Sequence, residues 1–282
     1  MLKTLLSPLR IGMNGALKKC KGKRAEVSSL RRPAELPAKG EGMEYSTKLL
    51  AGTFLKRYKR FFADIELNGE VVVAHVPNTG SMKGLNIAGR PCLISPSNNP
   101  ERKLKFTLEM VQAETGAWVG VNTSTPNALV KEAIEGSIAQ QDSKFPRWST
   151  FHSVKPEFKI SAATRLDFAL QQEGKDNKHF IEVKNVTLAE DGIAKFPDAV
   201  SERAQKHVQE LMDLVDQGHT AELVFTVQRN DCQWFAPADD IDPKYGELLR
   251  QAHQKGVVIS PLVVHLSDAS AMLSNEILPL KL

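Results

Sequence analysis

The stretch that most constrains this chain is Arg165 to Val186, RLDFALQQEGKDNKHFIEVKNV. At the two-residue period of a strand, Leu166, Phe168 and Leu170 fall on one face, and Arg165 and Asp167 on the other. After a turn rich in Gly, Asp and Asn, a second run places Phe180, Glu182 and Lys184 on one face and Ile181 and Val183 on the other. The pattern predicts a hairpin. If its polar faces coincide, Asp167, Glu182 and Lys184 converge, whereas a one-residue slip separates them. Two carboxylates about 4 Å apart repel by roughly 4 kcal/mol at an effective dielectric near 20. A convergent pair therefore calls for a cation: a divalent metal ion, with Lys184 as partial compensation.

The same residues also read as an ion pair on an exposed sheet face, worth little to stability. An acidic residue two places before a lysine occurs seven times in the chain, so the bare spacing decides nothing. The setting carries more: Glu182 lies inside an apolar strand-like run, and of the seven only Glu157, in PEFKI, shares that setting.

From Thr53 to Asn122 the text is strand-like, as TFLKRYKRFFADIEL, EVVVAHV, PCLIS, KLKFTLEMVQ and AWVGVN, with Asn-Gly, Pro, Gly and Ser turns between. Five short strands predict a small OB-like barrel, a common nucleic-acid platform, although a fold alone does not establish a role. Arg57, Lys59 and Arg60 beside Tyr58, Phe61 and Phe62, and later Arg102 and Lys103, interleave cations with rings or cluster cations, as single-strand binding requires. Alternating strands also show charge to solvent and rings to a core as a matter of course. In HVPNTGSMKG, Asn78, Thr79 and Ser81 form either a tight turn or a cradle of N–H and hydroxyl groups for an anion.

Beyond this, PNALVKEAIEGSIA (126–139) reads as a helix, SVKPEFKI as a strand before the hairpin, and 197–218 as the clearest helix, with Ala204, Val208, Leu211, Met212 and Val215 at helical spacing. Arg203, Lys206 and His207 share its polar side, either as a solvated face or as a phosphate contact. ELVFTVQ, a helix at 243–255 and GVVISPLVVHL as the final strand complete a mixed sheet flanked by helices.

The net charge of +4 does not by itself indicate a nucleic-acid binder. Residues 1–42 hold ten Lys or Arg against three Glu, a net of +7, which leaves 27 basic and 30 acidic residues beyond them. The body is net acidic, so any DNA contact rests on local basic clusters; a protein that never meets DNA is the other reading. The basic leader reads as an organelle transit peptide, a flexible arm or the product of an upstream start codon, and it is expected to be poorly ordered. Three separated cysteines indicate a reducing compartment, and no apolar run approaches the ~20 residues needed to span a bilayer. A cytoplasmic protein with no membrane partner is expected, with import through 1–42 as the variant for a eukaryotic source.

Asp167 followed by Glu182-Val183-Lys184 resembles the core of the PD-(D/E)XK nuclease superfamily. FLKRYKRFFADI, VPNTGSM, VNTSTPNALVKEAI, RLDF, IEVKNVTL and PDAVSERAQKH, in that order, resemble the bacterial sugar fermentation stimulation protein A (SfsA) family over nearly everything after Met43. That resemblance implies an OB-like domain (43–122) joined to a nuclease-like α/β domain (123–282). It also implies DNA binding without sequence preference and a regulatory role in sugar (maltose) metabolism. On the nuclease reading, Asp167, Glu182 and the Val183 carbonyl hold Mg²⁺ or Mn²⁺, Lys184 orients or deprotonates the attacking water, and Glu157 or Glu132 is a further carboxylate. On the alternative reading the protein is a non-enzymatic DNA-binding regulator. Two departures stand out: the leader precedes the usual start, and PEFKI replaces the usual glutamate-valine-lysine-tyrosine-glycine run, with Glu157 in the glutamate's place.

Overall fold

The computed structural model describes residues 42–140, 144–161 and 164–282. The expectation for the basic leader therefore lies outside the described residues, save Gly42. β1 (Met43–Glu44) pairs far along the chain, and the text then enters a barrel of β2 (Leu50–Tyr58), β3 (Phe62–Leu67), β4 (Glu70–His75), β5 (Arg90–Pro96) and β6 (Phe106–Gln112). Its order is β4-β3-β2-β5-β6. A short parallel pair, Ala74 with Phe106 and His75 with Thr107, closes it. The interior is filled by Phe54, Ile65, Met82, Leu85, Ile94 and Leu108, as a barrel this small requires. β7 (Trp118–Gly120) adds to β6 outside the closure.

The expected single strand TFLKRYKRFFADIEL is instead a hairpin, β2 and β3, and AWVGVN supplies only the appended β7. The turn lacks Gly, Asn or Asp, because Lys59 (φ 48°) and Arg60 (φ 62°) adopt the left-handed conformation themselves. Side chains hold it: the Tyr58 and Phe62 rings stack at 5.6 Å across the strands, and Arg57 Nε donates to the Arg60 carbonyl at 2.7 Å.

After α1 (Thr125–Gln140) come β8 (Ser153–Lys159), β9 (Arg165–Gln171), β10 (Lys178–Val186), β11 (Ala189–Glu190), β12 (Ile193–Phe196), α2 (Glu202–Asp216), β13 (Thr220–Val227), β14 (Trp234–Pro237), α3 (Pro243–Lys255), β15 (Val258–Leu266) and β16 (Ser270–Ile277). Seven strands form a mixed sheet in the order β1-β16-β15-β13-β10-β9-β8, with β10, β13 and β15 parallel. β11, β12 and β14 make a small second sheet. Leu129, Val130 and Ile134 of α1 cover one face of the large sheet, and Val208 and Leu211 of α2 with Leu249 and Ala252 of α3 cover the other. β13 is buried on both faces, which is why its text is a nearly unbroken apolar run. Among the described residues no helix is long and apolar enough to cross a membrane.

Three further expectations need correction. α2 begins at Glu202 rather than Pro197, because the Ser201 hydroxyl accepts from Ala204 N at 3.2 Å and caps the helix there. The final strand is β16, whose Ser- and Asn-containing text hides its alternation. Leu166 does not share a face with Phe168 and Leu170: it packs on the α2 side and they pack on the α1 side. Between the pairs Pro156–Phe168 and Phe158–Leu166, Glu157 sits opposite Asp167 with φ 50°, and this local distortion re-aims β9 at Asp167.

Candidate active-site cleft

β9 and β10 pair antiparallel from Lys178–Gln171 to Ile181–Phe168, and just past the last pair the Asp167 side chain reaches β10. Its Oδ2 accepts from Val183 N at 2.7 Å, and its Oδ1 accepts from Asn127 Nδ2, in the first turn of α1, at 2.7 Å. On the α2 face of β10, Glu182 Oε1 accepts from Lys184 Nζ at 2.6 Å and also meets His207 Nδ1. The Lys184 ammonium lies 3.5 Å from that same imidazole nitrogen. Asp167, Glu182 and Lys184 therefore lie together.

Their electrostatics differ. Burial, then the Glu182 charge, push the Asp167 carboxyl up to about 6 against the opposing Val183, Lys184 and Asn127 contacts. Burial also pushes Glu182 up, but Lys184 and His207 outweigh it and hold that carboxyl below its ordinary range. Glu182 Oε2 is buried with no hydrogen-bond partner among the described residues. The Tyr245 hydroxyl is likewise buried and unpartnered, and burial followed by the charges of Glu182 and Asp242 raises its pKa well above the ordinary value.

Above this set opens a cleft of about 570 Å³ lined by Asp167, Glu157, His207 and the cationic side chains Lys159, Arg165, Arg203 and Lys206. Glu157 is thus in the same cleft as Asp167. Glu132 is not: it is exposed on α1 and lines a separate groove with Phe145 and Met272, so the helix brings Asn127 to the site rather than its glutamate. His207 lines the cleft with Arg203 and Lys206, but it is 5% exposed with Nδ1 turned onto Glu182, whereas Arg203 and Lys206 are exposed at the rim.

Among the described residues no three His, Cys, Asp or Glu side chains are grouped so as to hold a metal ion on their own. What the site offers is two carboxylates, one with a bare buried oxygen, and the main chain of Val183 between them. That donor set fits a small divalent cation that takes one or two carboxylates and keeps most of its water.

A second cleft, about 370 Å³, is lined by Arg57, Tyr58, Lys59, Arg60, Thr79 and Ser81. The loop 77–84 is no open anion cradle. The Asp198 carboxylate fills it, accepting from Ser81 Oγ at 3.1 Å and Met82 N at 3.2 Å, while Arg57 caps the Gly80 carbonyl at 2.9 Å. Asn78 is buried, its amide donating to the Val121 carbonyl at 3.0 Å. Arg102 and Lys103 lie in the β5–β6 connection and line neither cleft. The segment after β12 joins the two clefts, since Ala199 lines the second and Glu202 and Arg203 line the first.

Periodicity missed Asn127, Lys159 and Asp198. Asn127 lies forty residues from the carboxylate it touches, with no local mark of that contact. Lys159 reaches the cleft by pairing with Arg165 across β8 and β9, a register that no window of sequence contains.

Two family models match the chain: one described as the SfsA N-terminal OB domain over residues 55–121, the other as the sugar fermentation stimulation protein RE domain over 124–270. A sugar fermentation stimulation protein homolog of Bdellovibrio bacteriovorus is 60% identical over 243 residues, covering 85% of this chain and 100% of that one. A homolog of Geotalea uraniireducens is 44% identical over 236 residues, covering 83% and 98%. The solved structure of Pyrococcus furiosus SfsA in complex with Ca²⁺ superposes with a TM-score of 0.75 at 26% identity, covering 86% of this chain and 99% of that one.

Proposed function

We propose that this chain, which belongs to the sugar fermentation stimulation protein family, binds DNA without sequence preference and carries a divalent-metal-dependent phosphodiesterase site. The observation that carries the reading is a carboxylate pair in which Asp167 lines a cleft rimmed by four cations and Glu182, with a bare buried oxygen, lies buried beside the Asp167 charge. The Ca²⁺ of the Pyrococcus furiosus relative adds support for a divalent ion in this chain, with Mg²⁺ or Mn²⁺ as the working ion.

Asp167, Glu182 and the Val183 carbonyl would hold the ion, which when bound supplies positive charge against the phosphate as negative charge builds in the transition state. Asn127 and the Val183 amide fix the Asp167 carboxylate in one orientation. Lys184, anchored on Glu182, orients the attacking water as an ammonium, or takes its proton once it has itself lost one to solvent. Arg203, Lys206, Arg165 and Lys159 neutralise phosphates along the cleft. Arg57, Lys59 and Arg60 extend the basic tract onto the barrel, where the exposed Phe61 ring offers a stacking face. Supercoiled or branched DNA with Mg²⁺ or Mn²⁺ should be nicked by the wild type and not by Lys184→Ala; cleavage unchanged in that variant overturns the assignment.

One observation favours a second reading, a non-enzymatic DNA-binding regulator. Lys184 and His207 already neutralise Glu182 Oε1, and no third side-chain ligand joins the pair among the described residues. That protein would hold DNA equally well in EDTA and leave it uncut.

A further inference from the structure

A small pocket of about 180 Å³ lies between the barrel loop 77–84 and the C-terminal end of β10, lined by Asn78, Thr79, Thr123, Asn185, Lys195 and Phe196 among others. Its volume is below the ~300 Å³ at which pockets for drug-sized ligands begin, so it suits a group no larger than one heterocycle. Its cation is paired within the chain, Lys195 Nζ donating to Glu190 at 2.6 Å, and its carboxylate, Asp198, accepts from Ser81 and Met82. An anionic ligand therefore finds no unpaired cation in the lining.

Most of the polar lining is also engaged. Asn78 donates to the Val121 carbonyl and accepts from Gly80 N at 2.8 Å, and Thr123 Oγ1 donates to the Pro77 carbonyl at 2.6 Å. Asn185 is the exception. Its Oδ1 is buried with no hydrogen-bond partner among the described residues, a state uncommon enough in native structures to call for an explanation. Phe196, also in the lining, is partly exposed, its ring set edge-on to Phe225 and Tyr245. A carboxamide and an aromatic ring lining one small pocket suit a flat, neutral partner with a donor and an acceptor side by side, which is the edge of a nucleobase. The position agrees: Asn185 follows Lys184 on β10, and Thr79 and Gly80 line both this pocket and the basic cleft of Arg57, Lys59 and Arg60.

We infer that this pocket takes one unstacked nucleobase from a bound strand, read by the Asn185 amide, so that the strand is gripped by a base as well as by its phosphates. The inference rests on the DNA-binding reading above. The test uses the full chain in EDTA, to prevent cutting, with a short single-stranded oligonucleotide carrying 2-aminopurine at each position in turn. Anisotropy reports binding and 2-aminopurine fluorescence reports unstacking. The expected result is a fluorescence change confined to one position, abolished in Asn185→Asp, together with affinity weaker by roughly fivefold or more. Wild-type protein should show the same weakening toward an oligonucleotide abasic at that position, a measurement that needs no variant to fold. Tight binding with no position-dependent signal, or full affinity for every abasic oligonucleotide, overturns the pocket while leaving the DNA-binding reading intact. Absence of any anisotropy change at low salt overturns both.

Discussion

Glu182 and Glu222 stand on adjacent parallel strands and one step apart in the ladder, where Ile181 pairs with Glu222 and Glu182 with Leu223, so their side chains leave opposite faces of the sheet. Both are almost fully buried, at 4% and 1% exposure. Glu222 has both oxygens met: Oε1 by Arg147 Nε at 3.0 Å, Oε2 by Trp148 Nε1 at 2.9 Å and His179 Nε2 at 3.2 Å. Burial works against it, but His179, Arg147 and Ser260 bring its carboxyl down to about 2. Glu182 has one oxygen crowded and one bare, with a second carboxyl beside it pushed up to about 6. A carboxylate that serves the fold is saturated by its own chain. One left short of partners beside a like charge weakens the fold instead, the pattern that buried groups at functional sites share.

The contrast can be broken in four ways. The largest effect belongs to Lys184→Ala, which should lower metal-dependent DNA nicking by about 10²- to 10⁴-fold while the protein stays folded. Next, Glu222→Ala should cost about 3–5 kcal/mol in urea unfolding, because it strands buried cationic and donor groups. Glu182→Gln should lose less than half of that; equal losses would erase the distinction.

Acid titration of stability, read as urea midpoints in EDTA, should split the two sites by sign. The lowered Glu222 carboxyl stabilises the fold above its ordinary value of 4.5, and this contribution, about 3 kcal/mol, is lost as pH falls toward 2. The raised Asp167 carboxyl acts oppositely: its ionisation weakens the fold above its ordinary value of 3.8, increasingly up to about 6, so acidifying through that window restores stability. Glu222→Gln should flatten the acid limb, and Asp167→Asn should remove the dependence near 6. The smallest stability loss is expected for Asp167→Asn at neutral pH, where removing an ionised carboxyl that weakens the fold offsets the contacts it gives up. Calorimetric Mn²⁺ binding should vanish in that variant; heat that persists would place the ion elsewhere.

The sequence made legible whatever was periodic and local. The alternation in β10 put Glu182 and Lys184 on one face, and the helical spacing of Val208, Leu211 and Met212 located the buried stripe of α2. Where a side chain overrode local preference, the text was silent. Lys59 and Arg60 turn the chain without a turn residue because Tyr58, Phe62 and Arg57 hold them there. The distortion at Glu157 sends Leu166 and Phe168 to opposite cores. Contacts made at long range, such as Asn127 on Asp167 and Asp198 in the barrel loop, follow from the packing of whole elements, which no window of sequence contains.

The Asp198 contact has a further consequence. By anchoring the 77–84 loop, it keeps the basic rim of the barrel and the cleft above Asp167 in fixed spacing. On the DNA-binding reading, a polyanion that touched one would meet the other at a local concentration set by the folded geometry, as in a rigid bivalent binder with no tether to stretch. Weak grips at each end would multiply, and loosening that single carboxylate would be felt as lost avidity rather than as a lost contact.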